Sequence, residues 1–515
     1  MQNVLPRIDI YSHHFTITQL NDSVRRAFLE FSRGLVEWER VPVKPFQGRP
    51  KFVLTQKRIY ASAKEDRSEI RLHINQLEGF KAQLYANGTD PEKGVEYVVH
   101  PLFEGEPITL KSISGLELRK LQPQVVDYLS QRNEVRAKVV TAPTGYGKTL
   151  MAMRALANHG QRTVIMIKGE YIEKWIGDVE SEVEIKKGDL MVIRGSDSLI
   201  SLMQLALKDE LKAKIIIIGN RTFQNYLKSY ERDAFFKEYY PIHPEEFYEK
   251  LKVGVRLIDE VHQDFHLNFK QDTYTHIPYS ISLSATLDAD QDILNRMYRT
   301  MWPVSTRGPE IPQDKYILAS CLWYSIDRLD RVRYLNPKRQ YDHITFEKSI
   351  MRNPGMLKNY LKMIDHMVQQ KYVADHAPGQ KMLIFCATIA MCTLVRNHLS
   401  ELLPTVKVGR YVGEDEWSEL HDNDIVVTTI KSAGTAVDVA NLRYVLMTVA
   451  LSNKQTNIQV LGRLRRLKDF PDVTPEFMFL SCRDIGKHCE YAMAKKTKLD
   501  SKVKTFMQSY LPIRV

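Results

Sequence analysis

Eight residues, Ala142-Pro143-Thr144-Gly145-Tyr146-Gly147-Lys148-Thr149, stand between the apolar run Ala137 to Val140 and a helical run that starts at Leu150. Two glycines with a following Lys-Thr pair, placed between a strand and a helix, are the parts of a phosphate-binding loop. The glycines let backbone N–H groups close around a β-phosphate, and the Lys148 ammonium reaches the β and γ oxygens. The Thr149 hydroxyl ligates Mg²⁺, and the helix N-terminus favours the negative charge. Ala142 replaces the usual first glycine. A chance glycine turn is the bland alternative, and the strand-then-helix context argues against it.

Downstream, Val255-Arg256-Leu257-Ile258-Asp259-Glu260-Val261-His262 is an apolar strand that ends in two carboxylates. Asp259 is placed to hold Mg²⁺, and Glu260 to orient and deprotonate an attacking water. Alone, such a pair is usually a solvated turn; after a phosphate loop it becomes a catalytic candidate. Further on, in Gln459-Val460-Leu461-Gly462-Arg463-Leu464-Arg465-Arg466, helical spacing puts Arg463 and Arg466 on one side. From there both can address one γ-phosphate as arginine fingers, while Arg465 points elsewhere. A solvated basic helix face is the ordinary meaning of such a run.

These candidates need elements to hold them. From about Leu118 onward, short apolar runs alternate with helical patterns, the mark of βαβ units around a parallel sheet. The expected strands of a first block are Ala137 to Val140, Thr163 to Ile167, Ile215 to Ile218, Val255 to Ile258 and Ser280 to Leu283. Those of a second are Met382 to Phe385, Val406 to Val412, Asp424 to Thr428, Tyr444 to Val449 and Phe477 to Leu480. The fold class is therefore α/β, with two tandem P-loop-type lobes and a small N-terminal α+β domain. The expected divisions are an accessory domain over 1–112, a first lobe over 113–300, a connection over 301–352, a second lobe over 353–490 and a basic tail or helix over 491–515.

The chain has 515 residues, 43% hydrophobic and 26% charged, and a formal charge of +11. That is a soluble, multidomain composition with a bias toward a polyanionic partner. No apolar run reaches the ~18 residues that span a bilayer, and the N-terminus lacks a signal-peptide pattern. The expectation is a cytoplasmic protein without a membrane partner, possible as a monomer. Five cysteines without paired spacing suggest neither a disulfide framework nor a zinc site.

The order of the motifs resembles a superfamily 2 helicase of the DEAH/DExH type over about 118 to 485, with RecA-like lobes. Leu118 to Gln122 is similar to the Q motif, which implies that Gln122 reads adenine. The phosphate loop is motif I, and Thr163 to Trp175 resembles motif Ia with Ile167 in place of Pro. The run Ile215 to Phe223 is similar to motif Ic, with Gly219 in place of Thr. Motif II reads DEVH, Ser284-Ala285-Thr286 matches motif III, and Met382 to Thr388 looks like motif IV. Thr428 to Asp438 resembles motif V, implying nucleotide contacts near Gly434 and Asp438, and Gln459 to Arg466 is motif VI, with Gln459 among the catalytic set.

The resemblance implies ATP and Mg²⁺ as cofactors and nucleic acid as partner, with single-stranded or branched DNA favoured. Tyr411 to Glu414, together with the N-terminal segment, looks like the UvsW-like bacteriophage helicases, which would place the protein in a host cytoplasm. An RNA helicase, a Cas3-like or restriction-type translocase subunit, and a non-enzymatic annealing protein are the competing readings. Intact Lys148, Asp259, Glu260 and Arg466 weigh against the last.

Overall fold

A computed structural model describes residues 5–43, 51–113, 115–143, 145–232, 236–289, 291–312, 314–413, 415–433 and 439–515. The chain divides into two compact units, one of Met1–Ala142 with Tyr146–Ile311 and one of Pro143–Gly145 with Pro312–Val515.

The first unit holds a six-stranded sheet in the order Leu190–Ile193, Ile215–Gly219, Thr163–Ile167, Val255–Ile258, Tyr279–Ser284, Ala137–Thr141. Every neighbouring pair is parallel. Runs such as TVIMI and IIIIG are buried from end to end, as strands with both faces covered must be. Because the strands are parallel, Thr141, Ile258 and Ser284 finish at the same sheet edge. The loops that follow them, which hold the phosphate loop, the DEVH carboxylates and the Ser-Ala-Thr turn, therefore meet above it.

The N-terminal residues of this unit form a five-stranded sheet, Ser62–Ala63, Ile70–His73, His14–Thr18, Arg7–Ile10, Glu96–Val99, with helices Asp22–Arg33 and Leu77–Ala86. Its core is continuous with that of the large sheet, joining Phe15, Leu72 and Phe80 to Ile216, Phe265 and Trp302. A buried polar network crosses the same junction. Arg71 is fully buried and ion-paired to Glu69 at 2.5 Å and to Glu245. Asp272 accepts from Arg256 at 2.5 Å and lies 3.6 Å from His73.

The second unit is a seven-stranded sheet, Val408–Tyr411, Ile425–Thr429, Lys381–Cys386, Leu442–Met447, Glu476–Cys482, Leu318–Ser325, Thr505–Arg514, again parallel throughout. The fold is two tandem RecA-like α/β lobes with a small N-terminal α+β region.

Three stretches differ from the sequence reading. Leu190–Ile193, absent from the expected strands, forms the edge strand of the six-stranded sheet beside Ile215–Gly219. Leu318–Ser325, inside the span expected to connect the lobes, is an interior strand paired on both sides. Its sequence, LASCLWYS, has no β-branched residue and so hides its burial. The C-terminal stretch, expected as a basic tail or helix, is the helix Gly486–Leu499 followed by the edge strand Thr505–Arg514. Pro512 is tolerated there because an edge strand leaves one row of N–H groups unpaired. All five cysteines are free thiols, and no helix among the described residues is long and apolar enough to cross a membrane.

Candidate nucleotide site

The phosphate loop departs from the end of strand Ala137–Thr141. The Ala142 N–H donates to the Ser284 carbonyl at 3.0 Å, which fastens the start of the loop to the Ser-Ala-Thr turn. Gly145 and Gly147 lie at φ +80° and +88°, a region open to glycine and costly for other residues. At Gly147 space is also closed, since a Cβ would meet the Gln122 amide nitrogen at 2.7 Å. Helix Lys148–His159 begins directly after it.

Gln122, 2% exposed, spends its side chain on this loop. Its Nε2 donates to the Tyr146 carbonyl at 2.6 Å, and its Oε1 accepts from the Arg119 N–H at 2.8 Å. The side chain thus ties the turn at Arg119 to the backbone that would wrap a phosphate.

Facing the loop, Lys148 Nζ lies 3.1 Å from Glu260 Oε1 and 3.5 Å from the Ala142 carbonyl. Asp259 is half-buried beside Glu260. Its Oδ2 accepts the Trp175 indole N–H at 3.0 Å and its Oδ1 accepts the Glu260 N–H at 2.8 Å. Burial, and then the adjacent Glu260 charge, push the Asp259 carboxyl above the usual range, while Lys148 and Lys174 pull it back. Glu260 itself sits at φ +46°, a left-handed conformation that costs a non-glycine residue about 1–3 kcal/mol and is characteristic of functional sites.

His262 links the carboxylates to the Ser-Ala-Thr turn. Its Nδ1 is 3.3 Å from Glu260 Oε2 and 2.9 Å from Ser284 Oγ. Ser284 Oγ donates its one proton to the Thr286 carbonyl at 2.6 Å, so His262 Nδ1 must be the donor to Ser284. The Thr149 hydroxyl bonds to Asp178, whose carboxyl burial raises.

This arrangement fits a nucleoside triphosphate with a divalent cation. The loop has two glycines at positive φ and opens a helix, one lysine faces it, and hydroxyl and carboxylate oxygens form the hard-donor set Mg²⁺ prefers. Asp259 and Glu260 together hold more negative charge than Lys148 alone offsets, which a cation would neutralise. Thr149 and Asp259 would hold the metal. The glycine loop and Lys148 would hold the phosphates.

In the second unit the arginine run departs from expectation. Helix Lys454–Leu461 holds Gln459 but stops at Gly462, so Arg463, Arg465 and Arg466 do not share a helix face. The N–H groups of Arg463 and Leu464 bond three residues back, to Val460 and Leu461, in tight turns. Glycine's poor helix propensity and the burial of Leu464 and Leu467 explain the break. Arg463 is 7% exposed, with Nε donating to the Gln459 carbonyl at 3.4 Å. Arg466 is open to solvent, its guanidinium 5.0 Å above the Tyr316 ring and 3.9 Å from Asp314 Oδ2. Helical phase therefore does not set Arg465 apart from Arg463 and Arg466.

Thr144, Gly434 and Asp438 lie outside the described residues. Sequence reasoning missed three positioning groups: the Trp175 indole on Asp259, the His262 link, and Glu347. The Glu347 carboxylate is buried and accepts from the Ala387 N–H, the Thr388 N–H and the Thr388 hydroxyl at 2.7–2.9 Å. It thereby fixes the turn after strand Lys381–Cys386. The Trp175 contact had a signal, an aromatic N–H donor in the segment read as motif Ia, but only the fold brings it to Asp259.

Residues 115–289 match the family model of the type III restriction enzyme res subunit. That span contains the phosphate loop, Asp259 and Glu260, Trp175 and the Ser-Ala-Thr turn. No curated protein matches the chain. Among solved structures, S. cerevisiae Dbp5 bound to RNA and ADP BeF3 aligns with TM-score 0.47 and 12% identity, covering 76% of this chain and 89% of that one. A fragment of a putative HsdR subunit of a type I restriction enzyme from Vibrio vulnificus YJ016 aligns with TM-score 0.49 and 13% identity, covering 76% and 68%. The family match covers the first parallel-sheet lobe, the one that carries the phosphate loop and the two carboxylates.

Proposed function

We propose that the protein is an ATP-dependent nucleic-acid helicase or translocase of the DEAH/DExH kind, UvsW-like, whose substrate is single-stranded or branched DNA. The observation that supports it best is the set built around the glycine loop. Lys148 is paired to Glu260, Asp259 is held by Trp175, and His262 bonds to Ser284.

In this reading Lys148 and the loop N–H groups bind the phosphates, and Gln122 orders the loop and contacts adenine. Mg²⁺, when bound, neutralises charge that develops on the phosphates. Glu260 accepts the proton of the attacking water, and Gln459, Arg463 and Arg466 stabilise the transition-state charge. Gly434 and Asp438 contact the nucleotide, and residues 1–112 select the substrate. The working divisions remain 113–300 and 353–490 for the lobes, with 301–352 and 491–515 flanking the second.

The test is phosphate release with Mg²⁺, titrated with single-stranded DNA, duplex, forked DNA and RNA. The expected result is slow basal turnover that rises several-fold, most with single-stranded or forked DNA. Full-rate hydrolysis without nucleic acid, or preference for RNA, contradicts the reading or its DNA assignment respectively.

A further inference from the structure

The strands Val36–Val43 and Lys51–Ile59 form a two-stranded antiparallel sheet of their own, joined to neither large sheet. A two-stranded ribbon in water gains little stability by itself, yet this one leaves Trp38 53%, Leu54 60% and Val53 47% exposed. The register pairs Trp38 with Gln56 and Arg40 with Leu54, which puts those four side chains on one face.

The ribbon's root is firm. Leu35 and Tyr60 at its two ends are buried, and the Tyr60 ring meets Phe269 at 5.2 Å and Phe265 at 6.0 Å. Those rings belong to helix Phe265–Asp272, which follows the DEVH loop. Arg296 donates to the Gly34 carbonyl. Glu37, 4% exposed, holds Lys57 at 2.6 Å and Arg58 at 3.6 Å. One buried carboxylate thus fixes two cations whose side chains are a third exposed. In sequence, residues 36–59 carry six Lys and Arg against two Glu.

We propose that this ribbon is a docking arm for a nucleic-acid strand with unpaired bases. Trp38 stacks on a base, while Arg40, on the same face, takes a phosphate. An exposed aromatic with flanking cations is how sequence-tolerant single-strand sites are built. Its place on the helix after the DEVH loop puts a bound strand one rigid element away from Asp259 and Glu260. The assignment rests on the reading that the substrate is nucleic acid.

The experiment uses the full-length protein and a fluorescently labelled oligothymidylate, with Kd read by anisotropy over a salt series. Trp38→Ala should weaken binding about tenfold, and Trp38→Phe should restore most of the loss. Arg40→Ala should weaken binding and reduce the salt slope by about one. Hydrolysis at saturating oligonucleotide should stay at the wild-type rate, and melting curves should be unchanged because Trp38 lies at the surface. Wild-type Kd and salt slope in both Ala variants, with normal stimulation of hydrolysis, overturn the ribbon assignment alone. Loss of self-association in Trp38→Ala with an unchanged Kd assigns the face to a second copy and also overturns it. Failure of the wild-type protein to bind any oligonucleotide overturns the function reading itself.

Discussion

In the proposed reading, two residues that face each other at the phosphate loop divide the chemistry between them. Lys148 and Glu260 are 3.1 Å apart, so replacing either disturbs the other, but the consequences differ. Lys148→Ala removes the cation that would meet the phosphates and leaves Glu260 with less compensation; ATP affinity should fall at least tenfold, read by fluorescent-nucleotide titration. Glu260→Gln keeps size and hydrogen-bonding capacity but removes the base, so ATP affinity should stay within a few-fold while turnover drops about a hundredfold or more. An equal loss of ATP affinity in both contradicts the division. The Lys148, Asp259 and Glu260 types were legible in sequence because each chemistry needs one residue type at one strand or loop end. The Trp175 and His262 contacts were not, because they join residues 84 and 22 positions apart.

At the scale of elements, the parallel strands of both sheets were readable from their β-branched runs, and the exceptions have causes. LASCLWYS lacks the β-branched signature and pairs with strands more than 150 residues away. The arginine helix was read too far because spacing continues through Gly462 while the hydrogen bonding does not. The break alters the expected behaviour of the run: Arg466, exposed and lying on Tyr316, is free to reach a ligand without unfolding a helix. Arg466→Ala should reduce stimulated hydrolysis by roughly 10³-fold or more, the scale of arginine fingers, with melting temperature and ATP affinity near wild type. Arg463, nearly buried, should lose stability as well as rate when replaced, and thermal melting separates the two effects.

A second element-scale prediction concerns pH. Lys495 on helix Gly486–Leu499 is buried among Met447, Phe477 and Phe479, and burial pushes its ammonium down to about 7. A folded-state pKa below the unfolded value contributes stability that is present above about 10.5 and lost as pH falls through about 7. Lys495→Met keeps the length of the side chain and removes the charge. It should raise the melting temperature by several degrees at pH 6 and by much less at pH 10, measured by calorimetry. A shift independent of pH contradicts the assignment.

For the whole molecule, the N-terminal sheet and the first lobe share one core and one buried ionic network. A ligand bound on the N-terminal sheet would therefore bear on a body that includes the carboxylates. The charge of +11 predicts that affinity for nucleic acid falls steeply between about 50 and 200 mM salt, since phosphate contacts release counterions; a filter-binding or anisotropy series reads this, and a flat response contradicts it. This scale was the least legible in sequence, because burial of Arg71 and Arg256 looks from composition like surface charge.

The central claim is that nucleic acid switches on hydrolysis at the Lys148–Glu260 site. Steady-state phosphate release, measured with Mg²⁺ and ATP in the presence and absence of forked DNA for the wild-type protein and for Glu260→Gln, tests it most directly. The account predicts slow basal release, a several-fold rise with DNA in the wild type, and almost none under either condition in Glu260→Gln. A wild-type rate that ignores nucleic acid, or a Glu260→Gln protein that is stimulated normally, would contradict it.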